Sequence, residues 1–248
     1  MKRLHIAVIG VGRVGSCLSL LITLEGLADK LSIVDIAPGL PWAIKKDLQT
    51  ALASTGRKIL IEDYNDPSKV ENADIIIVTA GKPRKPGMTR LDLLNTNAKI
   101  ISEIASKIYP QNKDATYIIV TNPVDIMATI FHMKTRSTKI ISTGCHLDTL
   151  RFRTVIAEKV GVSTDRIEGY VGGAHGRYIV PLWSTVKIDG TPVNQWLENT
   201  GKSLDKEEVK NETIRTNNSR SFKSLEYWDY LSESGIKVGI INMPTTYP

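Results

Sequence analysis

One histidine stands between glycines in the stretch EGYVGGAHGRYIVPLW, residues 168–183. His175 can exchange a proton near neutral pH. To work as a base it needs a carboxylate to orient it, cations to hold a substrate, and a cofactor. The same stretch also suits a histidine packed in an interior, and taken alone it does not separate the two. A second group with evident chemistry lies at residues 10–15, GVGRVG. These glycines close one apolar run and open a helical pattern, and Asp35 follows 20 residues after Gly15. That context predicts a dinucleotide site. Gly10 permits the tight turn, Gly12 lets the backbone approach a pyrophosphate, and Gly15 lets the helix pack close to the strand. The helix N-terminus offers N–H groups to the phosphates. Asp35 is placed to accept hydrogen bonds from the adenosine ribose and to repel a 2′-phosphate, which favours NAD over NADP.

A third feature is the stretch TAGKPRKPGMTRLDLLNTN, which carries Lys82, Arg84, Lys85 and Arg90. Pro83, Pro86 and Gly87 forbid a regular helix there. A cationic loop after a parallel strand lies where α/β folds bind ligands, although most such runs are simply solvated basic loops. The elements that must position these residues are legible as alternating patterns. LHIAVIG, LSIVDIA, KILIED, ADIIIVTAG, TYIIVTNP and KIISTG read as strands. Segments 13–26, 40–53 and 90–108 show helical periodicity. This alternation predicts an α/β fold, a Rossmann-type doubly wound parallel sheet.

The bulk properties fit that class. The chain has 248 residues, 42% of them hydrophobic and 23% charged, enough for one large or two modest domains. No apolar run approaches the roughly 20 residues of a membrane span. The N-terminus MKRLHIAVIG has basic residues before an apolar run, but glycines break it and no small-residue cleavage site follows. The net charge of +6 is spread along the chain, without the arginine block or aromatic platform of a nucleic-acid binder. Cys17 and Cys145 have no ligand-spaced neighbours, so no metal site is expected. Both read as free, buried thiols in a reducing cytoplasm.

The motifs AGKPRKPGMTR, VTNPVD, HLDTLRFR and GGAHG follow the glycine fingerprint in that order. Together they resemble the NAD-dependent lactate/malate dehydrogenase family over about residues 4–218, and the loop resembles the malate dehydrogenase branch. The resemblance implies that His175 transfers the proton and that Asp148 orients and stabilises it. Arg151, three residues past Asp148, would grip the substrate carboxylate through two parallel hydrogen bonds. Arg90 would polarise the reacting carbonyl. Asn122 would contact substrate and cofactor, with Asn97 a further cofactor contact beside Gly10, Gly12, Gly15 and Asp35. Arg84 would pair with a second carboxylate, which malate and oxaloacetate have and lactate and pyruvate lack. NAD as cofactor, a small dicarboxylate as substrate, a place in the tricarboxylic acid cycle and a homo-oligomer (dimer or tetramer) are implied with it.

The chain also departs from the family. After HG the family usually has an acidic residue, whereas here Arg177 follows. The expected organisation is a NAD-binding Rossmann domain over 1–142, an incomplete α+β substrate domain over 143–218, and a foreign-looking tail over 219–248. That tail reads as a helix, a turn at Gly235 and a strand, and resembles a short stretch of the alkaline-phosphatase-type phosphodiesterase superfamily without its metal ligands. Two rival readings remain open: a lactate-type 2-hydroxy acid dehydrogenase, and a catalytically impaired NAD-binding remnant. The absent end of the substrate domain is expected to leave apolar surface exposed.

Overall fold

A computed structural model describes residues 3–83, 89–174 and 178–215. The described residues fall into two compact units, the first ending at Thr143 and the second starting at Gly144. In the first unit, six parallel strands alternate with helices: β1 (His5–Ile9), α1 (Arg13–Glu25), β2 (Lys30–Val34), α2 (Leu40–Ala53), β3 (Leu60–Tyr64), β4 (Ile75–Val78), α3 (Arg90–Ile108), β5 (Thr116–Ile119), α4 (Val124–Thr135) and β6 (Ile140–Ser142). The order across the sheet is β3-β2-β1-β4-β5-β6. The chain reverses direction of travel between β1 and β4, which opens a crevice at the carboxyl ends of those two strands.

Continuous apolar strands are what a sheet covered on both faces demands. All five residues of β1 are buried. Their alternation divides the core in two. Ala7 and Ile9 pack with Val78, Ile101, Ile108, Tyr117, Met127 and Phe131 under α3 and α4. Ile6 and Val8 pack with Ile22, Leu31, Ile33, Ile44 and Leu48 under α1 and α2. Phe131 is fully buried, with its ring centroid 4.7 Å from that of Tyr117.

The inner face of α1 follows a different rule. Its first turns, beside the glycine turn, bury Gly15, Ser16 and Ser19, and Ile22 and Thr23 are buried further along. Each hydroxyl is satisfied inside the helix: Ser16 Oγ donates to Gly12 O at 2.8 Å, Ser19 Oγ to Gly15 O at 2.7 Å, and Thr23 Oγ1 to Ser19 O at 2.8 Å. Small side chains let the helix lie close to the strand. This phase turns Cys17 outward, so the expected buried thiol is corrected: Cys17 is exposed, and Cys145 is half-buried.

The second unit contains α5 (His146–Val160), β7 (Ile167–Ala174), β8 (Tyr178–Ile188), β9 (Thr191–Pro192), α6 (Val193–Thr200) and α7 (Lys206–Arg215). The three strands form an antiparallel sheet in chain order. Its core joins Phe152, Ile156 and Val160 of α5 to Ile167, Val171, Ile179, Val186 and Ile188 of the sheet. Lys159 of α5 bridges Glu208 at 2.6 Å and Glu212 at 3.0 Å on α7. Tyr170, Val180 and Leu182 stand exposed. The expected tail elements and Arg177 lie outside the described residues. Among the described residues no helix is long and apolar enough to cross a membrane.

His5 is a buried polar exception in the first unit. Its Nε2 lies 2.8 Å from Ser32 Oγ and its Nδ1 3.3 Å from the Asn72 carbonyl. Burial, reinforced by Lys30, pushes its pKa below the ordinary 6.5, against the opposing effects of the Asn72 carbonyl, Glu62 and Asp74. The unfolded chain therefore takes up a proton before the folded one does. Stability contributed by neutral His5 is intact above pH 6.5 and is lost as the pH falls below it. Glu62, the neighbouring carboxylate, is lowered from 4.5 and so loses its contribution only in more acid solution. Denaturant unfolding between about pH 7.5 and about pH 5.5 is expected to show falling stability in the parent and a flatter profile in His5→Gln. Equal slopes would remove His5 as the cause. Separately, Phe131→Ala is expected to cost about 3–5 kcal/mol of unfolding free energy by the same measurement.

Candidate functional site

The three glycines of the first turn have different physical reasons to be glycine. Gly10 has φ +93°, and a Cβ there would stand 2.5 Å from Ala80 Cα of the β4 end. At Gly15 a Cβ would stand 1.9 Å from the Gly10 carbonyl oxygen. Both serve the protein's own packing. Gly12 does not: its φ is −67°, open to any residue, and among the described residues no atom outside its own turn lies within 4 Å of a Cβ built on it. It is the N-cap of α1, and no side chain caps that turn. The first N–H groups of α1 are therefore offered at a surface kept bare of side chain, an arrangement suited to an anion.

Asp35, at the end of β2, faces this turn. Its Oδ2 accepts from Val11 N at 2.9 Å and its Oδ1 from Ala37 N at 3.0 Å. The carboxylate is half-buried and held at both oxygens. Each oxygen keeps capacity for one more donor, such as a ribose hydroxyl. A cleft of about 360 Å³ runs past these groups, lined by Gly10, Gly12, Asp35, Ile36, Gly81 and Lys82 among others. Its residues fit an elongated dinucleotide: an anion cradle in the middle, a carboxylate at the β2 side, and apolar walls from Ile100 and Ile104.

The far side of the cleft is stitched across strand ends. Thr79 Oγ1 donates to the Gly10 carbonyl oxygen, joining β4 to the glycine turn. Thr121 Oγ1 donates to Ala80 O at 2.8 Å. Asn97, only 2% exposed, accepts from Lys82 N at 2.8 Å and donates to Asn122 O at 2.8 Å. Its amide thus ties the start of the cationic loop to the segment that presents Asn122. Asn122 itself is exposed at the end of β5, and its peptide bond to Pro123 is cis. The loop's other end is fixed by a capping box, in which Thr89 Oγ1 accepts from Asp92 N at 3.1 Å and Asp92 accepts from Thr89 N at 2.9 Å. Arg90 is the first residue of α3. Its side chain, like Arg84, lies outside the described residues.

In the second unit, Asp148 sits in the first turn of α5 with its side chain fully buried. Arg151, one turn on, brings Nη1 to 3.8 Å from Asp148 Oδ1 and keeps 27% of its side chain exposed. The two share a helix face, as their spacing implies. Strand β7 is bound to this helix at three points: Cys145 Sγ to Gly173 O at 2.8 Å, Thr149 Oγ1 accepting from Val171 N at 3.1 Å, and Arg153 Nε to Gly169 O at 2.9 Å. The strand that leads to His175 is thereby anchored beside the start of α5. His175 itself lies outside the described residues.

Several of these residues had no signal in the sequence. Thr79, Thr121, Thr149 and Arg153 act by hydrogen bonds across 16 to about 70 residues of chain, and nothing local marks them. The amide of Asn97, the further cofactor contact that the resemblance implies, is engaged with the protein's backbone at Lys82 and Asn122. Among the described residues no cluster could hold a metal ion.

Comparison with known proteins agrees with this geometry. Residues 4–141 match the lactate/malate dehydrogenase NAD binding domain, and residues 145–219 match the alpha/beta C-terminal domain of the same family. Neither match reaches past residue 219 into the tail. A malate dehydrogenase of Sulfurisphaera tokodaii is 44% identical over 190 residues, covering 77% of this chain and 61% of that protein. An L-lactate dehydrogenase of Latilactobacillus sakei is 36% identical over 208 residues, covering 83% of this chain and 63% of that protein. The crystal structure of Cryptosporidium parvum malate dehydrogenase superposes with a TM-score of 0.80 at 34% identity, covering 86% of this chain and 68% of that one. The chain thus spans about three fifths of the length of these curated relatives. The fold, the glycine turn and both family matches lead to one assignment: the chain belongs to the lactate/malate dehydrogenase family, and its first unit is that family's NAD-binding domain.

Proposed function

We propose that the chain is a malate dehydrogenase-type oxidoreductase that interconverts malate and oxaloacetate with NAD. The observation that carries the cofactor half is Gly12. Among the described residues its missing side chain answers to no packing contact, and the space beside the α1 N-terminus is left open to a bound group. Asp35 supports NAD rather than NADP, since a 2′-phosphate beside a carboxylate held at both oxygens meets uncompensated repulsion.

Bound NAD would supply the hydride acceptor for the 2-hydroxy acid. The chain's own residues do the rest. His175 as neutral imidazole takes the hydroxyl proton, and as imidazolium returns it in the reverse direction. Asp148, fully buried, orients the ring and stabilises its charged form. Arg151 clamps the carboxylate next to the reacting carbon, which fixes the attack geometry. Arg90 polarises the carbonyl, and Asn122 contacts substrate and cofactor. Arg84 takes the distal carboxylate, and Asn97 holds the loop's base in register with Asn122. A homo-oligomer and a cytoplasmic setting belong to the same proposal.

A lactate-type activity is the second reading, favoured by the match to an L-lactate dehydrogenase. Arg84 argues against it, because an arginine left unpaired in a closed site is costly. Two experiments test the proposal. First, Gly12→Val is expected to leave thermal stability unchanged and to weaken NADH more than about 10-fold; undiminished binding would remove the cradle from the cofactor site. Second, the fall in nicotinamide absorbance is expected to be faster with oxaloacetate than with pyruvate. Arg84→Gln should cut oxaloacetate kcat/KM about 100-fold or more, the loss expected when a charged hydrogen-bonded pair with the substrate is removed. Equal rates with both acids would sink the substrate assignment, and NADH binding without any turnover would select the binding remnant.

A further inference from the structure

Asp35 opens the five-residue connection, residues 35–39, between β2 and α2, and the turn Asp35–Ile36–Ala37 is its first part. Ile36 stands 84% exposed and lines the cleft, so its side chain does not pin the turn. The backbone is held from outside. Asp35 N donates to Tyr64 O at 3.2 Å, which extends the β2–β3 ladder by one step. The next residue on that side, Asn65, spends both protons of its amide on this turn. Its Nδ2 donates to Asp35 O at 2.8 Å and to Ala37 O at 3.1 Å. The two carbonyls on either side of Ile36 are thereby fastened to the end of β3.

We infer that Asn65 is a positioning and specificity residue for the adenosine ribose: it fixes the turn so that the Asp35 carboxylate stays at the 2′-hydroxyl and cannot swing aside for a 2′-phosphate. The inference rests on the reading that the cleft takes NAD. Asp35 alone is a charge on a short turn. Discrimination against NADPH requires that the charge stay put, because a carboxylate free to rotate into solvent is screened from the phosphate. Val11 N and Ala37 N hold its oxygens, but Ala37 N is part of the turn itself. Asn65 is the side chain that fixes the turn to a different strand. It is exposed and fills no core space, so its replacement acts on the turn rather than on folding.

The test is fluorescence titration of NADH and of NADPH against the full chain, as parent, Asn65→Ala and Asn65→Ser. Thermal melting of each is run alongside. Asn65→Ala is expected to weaken NADH about 3- to 10-fold and NADPH less, so that the NADPH/NADH ratio of dissociation constants shrinks several-fold. Asn65→Ser, which can donate one of the two bonds, should fall between. Melting temperatures should move by less than about 4 °C. A ratio unchanged in both variants, with the two nucleotides weakened equally or not at all, overturns the inference while leaving NAD binding in place. A parent that binds neither nucleotide overturns the NAD reading and the inference with it.

Discussion

The first unit depends on one close approach of backbone to backbone. The Gly10 carbonyl sits where a Cβ on Gly15 would be, and Gly10 itself lies against Ala80. Three segments, the end of β1, the first turn of α1 and the end of β4, therefore meet without side chains between them. That contact aims the N-terminus of α1 into the crevice at the point where the sheet's strand order reverses. It also explains why the first two turns of α1 bury Gly15, Ser16 and Ser19, a large apolar residue, Ile22, being buried only further along: a helix this close to a strand has room there for small residues. Their hydroxyls cost little because each is returned to the helix backbone.

From that contact the cleft is extended by polar side chains at the carboxyl ends of the strands. Thr79 and Thr121 tie β4 to the glycine turn and to β5. Asn97 ties the base of the cationic loop to the Asn122 segment, and Asn65 ties β3 to the Asp35 turn. Loops that must carry binding groups are thus anchored at fixed points. The second unit uses the same device. Cys145, Thr149 and Arg153 bind β7 to α5, so that the strand before His175 and the helix turn that carries Asp148 share one rigid frame.

How much of this was legible in the sequence follows from the range of each interaction. The six strands were readable because strands buried on both faces are continuous apolar runs, as in IIIV of β4. The packing reasons for Gly10 and Gly15 were readable because they are set by local turn geometry, and the place of Asp35 at the end of β2 because it follows from a short spacing. The tethers were not readable, because a threonine or asparagine that bonds across tens of residues looks like any other polar residue at a strand end. Cys17 shows the opposite error: residue type favoured burial, but the small-residue face of α1 fixed the helix phase and turned it outward. The pairing of Asp148 and Arg151 on one helix face was legible from spacing alone, while full burial of Asp148 needed the packing of α5 on its sheet.

The central claim is that the N-terminus of α1 and the fixed carboxylate of Asp35 together hold the pyrophosphate and the adenosine ribose of NAD. A crystal structure of the chain with NAD tests it most directly. Pyrophosphate oxygens within about 3 Å of the backbone N–H groups around Gly12, with the ribose hydroxyls on Asp35, are the expected result. A nucleotide seated elsewhere, or one whose ribose avoids Asp35, would contradict it.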